Sequence, residues 1–282
     1  MHDSPKDRHS RVKAYQQHWK RMRAQDHHAL ANCGDPSLDA NQGFRLLTWN
    51  LAKRPGARQE LEGHLGENDL ICVQEIMPSL LPEAPGSAHF ARSFRPLGRD
   101  AEFNGVATLS KAEACERSIT AISARWKEGW LVTPKMALAT EYALGNQTLL
   151  VVNVHALNFQ PIFKYMLKDQ MQRIAERILG HEGPAIVCGD FNTWRRDRLQ
   201  LVHNLLHDFE AIPFEESDHR KTPHWAASLF MGDKNLPLDH VFIRGLEFRD
   251  ARVLPSGHSD HGPLSVLLFP KGLVPGQEHF AS

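Results

Sequence analysis

Two residues with oxygen and amide chemistry stand one position apart at Asp190 and Asn192, directly after the apolar run Ala185-Ile-Val-Cys188 and Gly189. Side chains at i and i+2 of an extended backbone point the same way. One carboxylate and one carboxamide therefore face a single small volume. Asp supplies charge and Asn a neutral donor and acceptor, a pair suited to a hard cation or a phosphoryl oxygen. The same two residue types also serve as plain turn formers. The chain repeats the arrangement, however. Asn50 follows one apolar run, Glu75 a second, and His155 with Asn158 a third, while Asp239 and the pair Asp260-His261 adjoin two more. Strand ends converge on one edge of a sheet, and sites are built there. Carboxylates, carboxamides and imidazoles without a thiol select Mg²⁺, Mn²⁺ or Ca²⁺ over zinc or copper.

The elements that must hold these groups follow from apolar periodicity. Strands are expected at Phe44–Asn50, Asp69–Glu75, Phe103–Ser110, Met136–Tyr142, Gln147–Val154, Ala185–Asp190, Leu238–Arg244 and Leu264–Phe269. Gly145-Asn146 reads as a hairpin turn. Phe163, Leu167, Met171, Ile174 and Ile178 recur at helical spacing, with Gly180 behind them as a stop. Further helices are expected near Arg58–Leu65 and Arg196–Phe209. Residues 213–237 form a long polar loop carrying His219, Arg220, Lys221, His224 and Trp225. Strands and helices alternate irregularly, with hairpins among them. This predicts an α/β fold of two packed mixed β-sheets flanked by helices, in one domain over residues 43–271. Residues 1–42 read as a basic helical N-terminal extension and linker, with Val12, Tyr15, Trp19 and Met22 as the apolar stripe, and residues 272–282 as a tail.

Composition sets bounds on this reading. The 282 residues are 41% hydrophobic, enough to bury a sizeable core. Its 33 basic and 33 acidic residues balance, so overall charge advertises no nucleic-acid partner, and only the first thirty residues form a basic patch. Cys33, Cys72, Cys115 and Cys188 form no CxxC pair, which predicts buried, reduced thiols. No apolar run is long enough for a secretory core or a membrane span, and a cytoplasmic protein is the simplest expectation.

The segments Thr48-Trp-Asn50, Val73-Gln-Glu75, Gly189-Asp-Phe-Asn192, Leu238-Asp-His240 and Ser259-Asp-His-Gly-Pro263 resemble, in content and order, the motifs of the endonuclease/exonuclease/phosphatase superfamily. The resemblance covers nearly all of residues 44–269 and is closest to an uncharacterised bacterial branch. It implies a four-layered sandwich that cleaves phosphoester bonds with Mg²⁺ or Mn²⁺. Carried over by position, Glu75 looks like the principal metal ligand, Asn50 its neighbour and Asp260 an accessory carboxylate. Asp190 resembles the group that orients the attacking water, and Asn192 the one that holds the phosphate or transition-state oxygen. His261 resembles the catalytic imidazole, Asp239 its orienting carboxylate, and His155 a second catalytic histidine. Asn158 falls at a phosphate-contacting position. Ala52 and His155 depart from the abasic-site branch, which has Asp and Tyr there.

The residues support that chemistry independently of the likeness. Phosphoester hydrolysis needs charge neutralisation and positioning. Lys53 and Arg195 follow motif strands and suit flanking phosphates. Taken one at a time, Asn50 also reads as a helix cap, His155 as a core histidine, and Lys53 or Arg195 as a solvated charge. The expectation is a metal-dependent phosphodiesterase acting on nucleic acid. Its rivals are an enzyme of phospholipid or small-molecule head groups, for which Ser228-Leu-Phe-Met231 is the apolar loop, and a non-catalytic binding protein on the same scaffold.

Overall fold

Central strands of this chain are apolar at consecutive positions because both of their faces are covered. In the stretch Phe44–Asn50, Phe44 and Leu46 pack into one apolar layer while Leu47 and Trp49 pack into another. The computed structural model describes residues 27–29, 37–83, 86–92, 103–121, 135–157, 164–215, 233 and 235–272. In chain order the elements are β1 (His27–Ala29), β2 (Phe44–Asn50), α1 (Ala57–His64), β3 (Leu70–Ile76), β4 (Ser87–Arg92), β5 (Gly105–Ser110) and β6 (Ala114–Ala121). They continue with β7 (Met136–Leu144), β8 (Gln147–His155), α2 (Lys164–Leu179), β9 (Ala185–Asp190), α3 (Arg196–Leu205), β10 (Glu210–Ala211), β11 (Asp239–Arg244), β12 (Leu246–Val253) and β13 (Leu264–Pro270).

One sheet has the order β1-β6-β7-β8-β9-β11-β10 and the other β12-β13-β2-β3-β5-β4. Each contains a parallel pair, β8 with β9 and β2 with β3, among antiparallel neighbours. Parallel neighbours require a crossover; α1 lies on the β2–β3 connection and α2 on the β8–β9 connection. Leu46, Cys72, Val151, Cys188, Val241 and Val266 fill the space between the sheets. Leu167, Met171, Ile174 and Ile178 of α2 cover the outer face of the first sheet, joined by Val202 of α3. Leu61 of α1 packs with Trp49, Ile71 and Val73 on the outer face of the second. The result is the expected four-layered α/β sandwich.

A buried polar bridge fixes the two sheets against each other. Gln74 Nε2 on β3 donates to Asn153 Oδ1 on β8 at 2.8 Å. Asn153 Nδ2 donates back to the carbonyls of Val73 at 3.1 Å and Ala107 at 2.8 Å. Buried amides of this kind are costly unless matched, so they select one alignment of the sheets.

The structure adds to the sequence-based expectation at the edges. β4 and β12 are edge strands, and β12 carries Glu247, Arg249, Asp250 and Arg252. Charged edges do not show the apolar alternation that marks a core strand. Two pieces of the segment read as an extension join the fold: β1 pairs with β6, and buried Leu38 bridges to Leu144. Cys72 and Cys188 are buried free thiols, as expected. Cys115 is disulfide-bonded, against the expectation, because spatial proximity is not encoded in cysteine spacing. The helical stripe before residue 27, Asn158 and the loop residues 216–232 lie outside the described residues. Among the described residues no helix is long and apolar enough to cross a membrane.

Candidate active site

The site lies where the two parallel pairs end. Parallel β2 and β3 place Asn50 in register with Gln74, and Glu75 is the next residue. The β3–β5 register shifts between Gln74 and Ile76, and Glu75 adopts φ +52° there. A side-chain-bearing residue in the left-handed region costs roughly 1–3 kcal/mol, and such strain concentrates at functional positions. Parallel β8 and β9 place His155 in register with Asp190, and Asn192 beyond β9 also sits at φ +52°. Gly189 makes this approach possible. It has φ +130°, and a Cβ there would lie 2.1 Å from the Val154 carbonyl oxygen.

Asp239 and His261 arrive differently from the sequence expectation. They open or precede strands rather than close them. β11 is antiparallel to β9 and pairs Asp239 with Asp190, while β13 is antiparallel to β2 and begins just after His261. Antiparallel strands start at the edge where their parallel neighbours stop, so both kinds of strand end meet at one rim.

The side chains form one continuous cluster. Asn50 Nδ2 donates to Asp190 Oδ2 at 2.9 Å, and the Asn192 amide donates to Asp190 Oδ1 at 2.8 Å. His155 Nε2 lies 3.7 Å from Asp190 Oδ2 and 3.5 Å from Glu75 Oε1. Asp190, Asp239 and His261 bring one ligand-capable atom each within 4.8 Å of one another. His261 Nδ1 donates to Asp239 Oδ2 at 2.6 Å. The loop before β13 is pinned to β2: Ser259 Oγ donates to the Asn50 carbonyl, its oxygen accepts the His261 amide, and Trp49 Nε1 donates to the His261 carbonyl.

The two carboxylates at the centre have opposite proton affinities. Burial pushes Glu75 upward, but His155, Lys135 and Lys53 together pull it down to about 2. His155 is itself held well below its ordinary value by burial and by Lys135. Lys53 Nζ lies 2.7 Å from Glu75 Oε2 and Lys135 Nζ 3.8 Å from Oε1. Asp190 is raised to about 7 by burial and then by the charge of Asp239. His261 is pushed down by burial, yet Asp239 overrides this by charge and hydrogen bond, aided by Asp190 and Asp260, to about 10. A protonated imidazole offers two N–H donors, and Nδ1 spends one of them on Asp239.

The donor set fits a divalent cation. Asp239 Oδ1 is buried without a hydrogen-bond partner, Asp190 offers a carboxylate oxygen in the same group, and Glu75 adds another across His155, the chemistry hard cations select. Asp260 is exposed beside the cluster. Lys53 Nζ pairs with Glu75 Oε2 at 2.7 Å. Arg195 is not brought to the cluster by any described contact; its guanidinium forks onto Asp197 at 3.0 and 2.9 Å.

Two residues escaped the sequence reading. Lys135 precedes β7, is buried, and donates to His155 Nε2 at 2.8 Å, with Glu75 Oε1 at 3.8 Å. A lone lysine beside a strand gives no signal of this kind. Arg198 is a buried arginine on the inward face of α3. The charged residue interrupting an apolar helical stripe was its one available mark.

Fold and rim together define a two-sheet α/β sandwich with a carboxylate–imidazole centre at one edge. Residues 47–261 match the Endonuclease/Exonuclease/phosphatase family, and the chain belongs to that family. It is 32% identical over 242 residues to the UPF0294 protein VP2298 of Vibrio parahaemolyticus, covering 83% of this chain and 80% of that one. Among solved structures, the mannosyl-6-phosphatase Bt3783 of Bacteroides thetaiotaomicron superposes with TM-score 0.56 at 16% identity, over 80% of this chain and 99% of that one. The 3′ phosphatase NExo from Neisseria, bound to product DNA hairpin, superposes with TM-score 0.50 at 14% identity, over 79% and 98%.

Proposed function

We propose that the protein is a divalent-metal-dependent phosphoesterase, and that it hydrolyses phosphodiester bonds of nucleic acid. The observation that carries the proposal is the joining of Glu75, Asp190 and the Asp239–His261 pair into one cluster from separate chain segments. Glu75 and Asn50 would hold Mg²⁺ or Mn²⁺, with Asp260 as an accessory carboxylate, and the ion when bound would neutralise charge on the phosphoryl group and the leaving oxygen.

The remaining work falls to the chain's own groups. Asp190, ionised above about pH 7, orients a water for in-line attack and takes up its proton. His261, held protonated by Asp239, donates to a transition-state oxygen. Asn192 and Asn158 donate amide hydrogens to the phosphate. His155 accepts from Lys135 and stays neutral between Glu75 and Asp190, which fixes its ring. Lys53 stands at the rim for a flanking phosphate. Donors preorganised in a dry site typically contribute about 10²–10³ each in rate.

A second reading, a phosphatase of small phosphomonoesters, is supported by the fold shared with the mannosyl-6-phosphatase Bt3783. The experiment that separates the two is a Mg²⁺/Mn²⁺ assay over plasmid DNA, single-stranded DNA, RNA, p-nitrophenyl phosphate, bis-p-nitrophenyl phosphate and phosphoinositides. Cleavage of a nucleic acid or of the diester probe is the expected result. Turnover of monoesters alone would overturn the diesterase proposal, and no turnover at all would overturn the enzymatic one.

A further inference from the structure

The four backbone groups of Ala156 and Leu157, the two residues that follow β8, are all held: one by the end of β9 and three by side chains beyond the strands. The Ala156 amide donates to the Asp190 carbonyl at 2.8 Å, and the Ala156 carbonyl accepts Asn192 Nδ2 at 3.0 Å. The Leu157 amide donates to Gln170 Oε1 of α2 at 3.2 Å. The Leu157 carbonyl accepts from Arg198 of α3 at 2.6 Å. Arg198 also donates through Nε to the Asn192 carbonyl at 2.8 Å, and its guanidinium lies 5.3 Å from the Trp194 ring centroid. Both Gln170 and Arg198 are buried.

One guanidinium therefore grips two loops at once: the one that carries Asn192 and the one that leaves His155 toward position 158. Its planar fork can reach two carbonyls in fixed directions, which an ammonium cannot do. The grip falls on the carbonyl of a residue in the left-handed region, a conformation that persists only where its surroundings over-determine it. Resting on the phosphoesterase reading above, we propose that Arg198 is a positioning residue: it acts through Asn192, holding that amide where the transferred phosphoryl group meets it. It touches no reacting atom itself.

Misplacing a catalytic group by about 1 Å costs roughly 10² in rate. Arg198→Gln is accordingly expected to lower kcat by about 10- to 100-fold with KM changed less than about threefold, the pattern of an interaction made only in the transition state. Arg198→Lys, which keeps the charge and reaches one carbonyl, should recover part of the loss. The decisive arm is the pair with Asn192→Ala. If Arg198 works through Asn192, the double variant is no slower than Asn192→Ala alone; losses that multiply would overturn the assignment.

A second arm needs no substrate. Amide hydrogen exchange on the full chain should accelerate at least about tenfold at Leu157 and Asn192 in Arg198→Gln, while Val187 and Cys188 in β9 keep their wild-type rates. Unchanged exchange at both loops would overturn the proposal. Should the glutamine variant unfold, the lysine variant carries both arms, with smaller changes of the same sign and overturned by the same results. A wild-type protein inactive on every probe would sink the phosphoesterase reading, and the exchange arm would still decide whether Arg198 holds the loops.

Discussion

The two sheets carry the same device and finish it in opposite ways. Each has a parallel pair joined by a connection that carries a helix, and each pair ends in a polar residue on either strand: Asn50 with Glu75, and His155 with Asp190. In the second sheet the carboxylate is partly exposed and flanked by His155, Lys135 and Lys53, and it falls to about 2. In the first the carboxylate is buried against another acid, Asp239, and it rises to about 7. Topology delivers a carboxylate to the rim twice; the neighbours decide that one is a permanent anion and the other a proton acceptor near neutral pH. Pairs of titratable groups pushed apart in this way mark separate roles in acid–base chemistry.

The comparison is most severely tested at its anionic member. Glu75→Ala should reduce metal-dependent hydrolysis to the uncatalysed background with the fold intact, as read by turnover and circular dichroism; retained turnover would take Glu75 out of the site. At the shared rim, His261→Gln keeps a donor for Asp239, avoiding the cost of about 3–5 kcal/mol for a buried charge stripped of its partner. It should slow turnover by about 10²–10³. A near-normal rate would remove the imidazolium from the chemistry.

A smaller effect is expected in stability. The fold raises Asp190 from its ordinary 3.8 to about 7, so the folded state favours the protonated form. The associated stability is full below about pH 4 and is lost as pH rises toward 7. Measured by urea unfolding in the presence of chelator, wild type should lose up to about 4 kcal/mol relative to Asp190→Asn across that window. A difference that does not vary with pH would erase the contrast between the two halves.

The smallest effect lies at the opposite end of the first sheet, where Glu141 pairs with Arg177 at 2.6 Å and stands 3.6 Å from His181. Hydrogen bonding to His181, opposed by burial and then aided by Arg177, holds it at about 2. Its contribution is present above about pH 4.5 and disappears as pH falls toward 2. Glu141→Gln should cost about 1 kcal/mol near pH 6, after screening, and nothing at the acid end, with activity unchanged. A loss of turnover in that variant would mean that the base of the sheet is coupled to the rim.

Central strands and the long helix were readable because burial on both faces leaves an unbroken apolar record. β8, β9 and β13 lie within a residue of the expected bounds, and α2 spans Lys164–Leu179 against a stripe running from Phe163 to Ile178. Edge strands β4 and β12 were not readable, since solvent accepts any side chain there, and neither was β6, whose Glu116, Arg117, Ser118 and Thr120 break the apolar record inside a sheet. The candidate catalytic set was readable as residue types beside apolar runs. Arg198 and Lys135 were not, because a buried cation is recognisable only by what surrounds it.

The sequence by itself determined which strands are buried and which polar groups lie against them, since hydrophobic period and chain direction are local properties. Tertiary structure alone decided that strand beginnings and strand endings meet: antiparallel pairing sets Asp239 beside Asp190, and the packing of one sheet on the other brings His261, before β13, to Asp239 on β11. It also decided the proton affinities. Those depend on charges from residues 53, 135 and 239 converging within a few ångströms, a distance that separation along the chain does not encode.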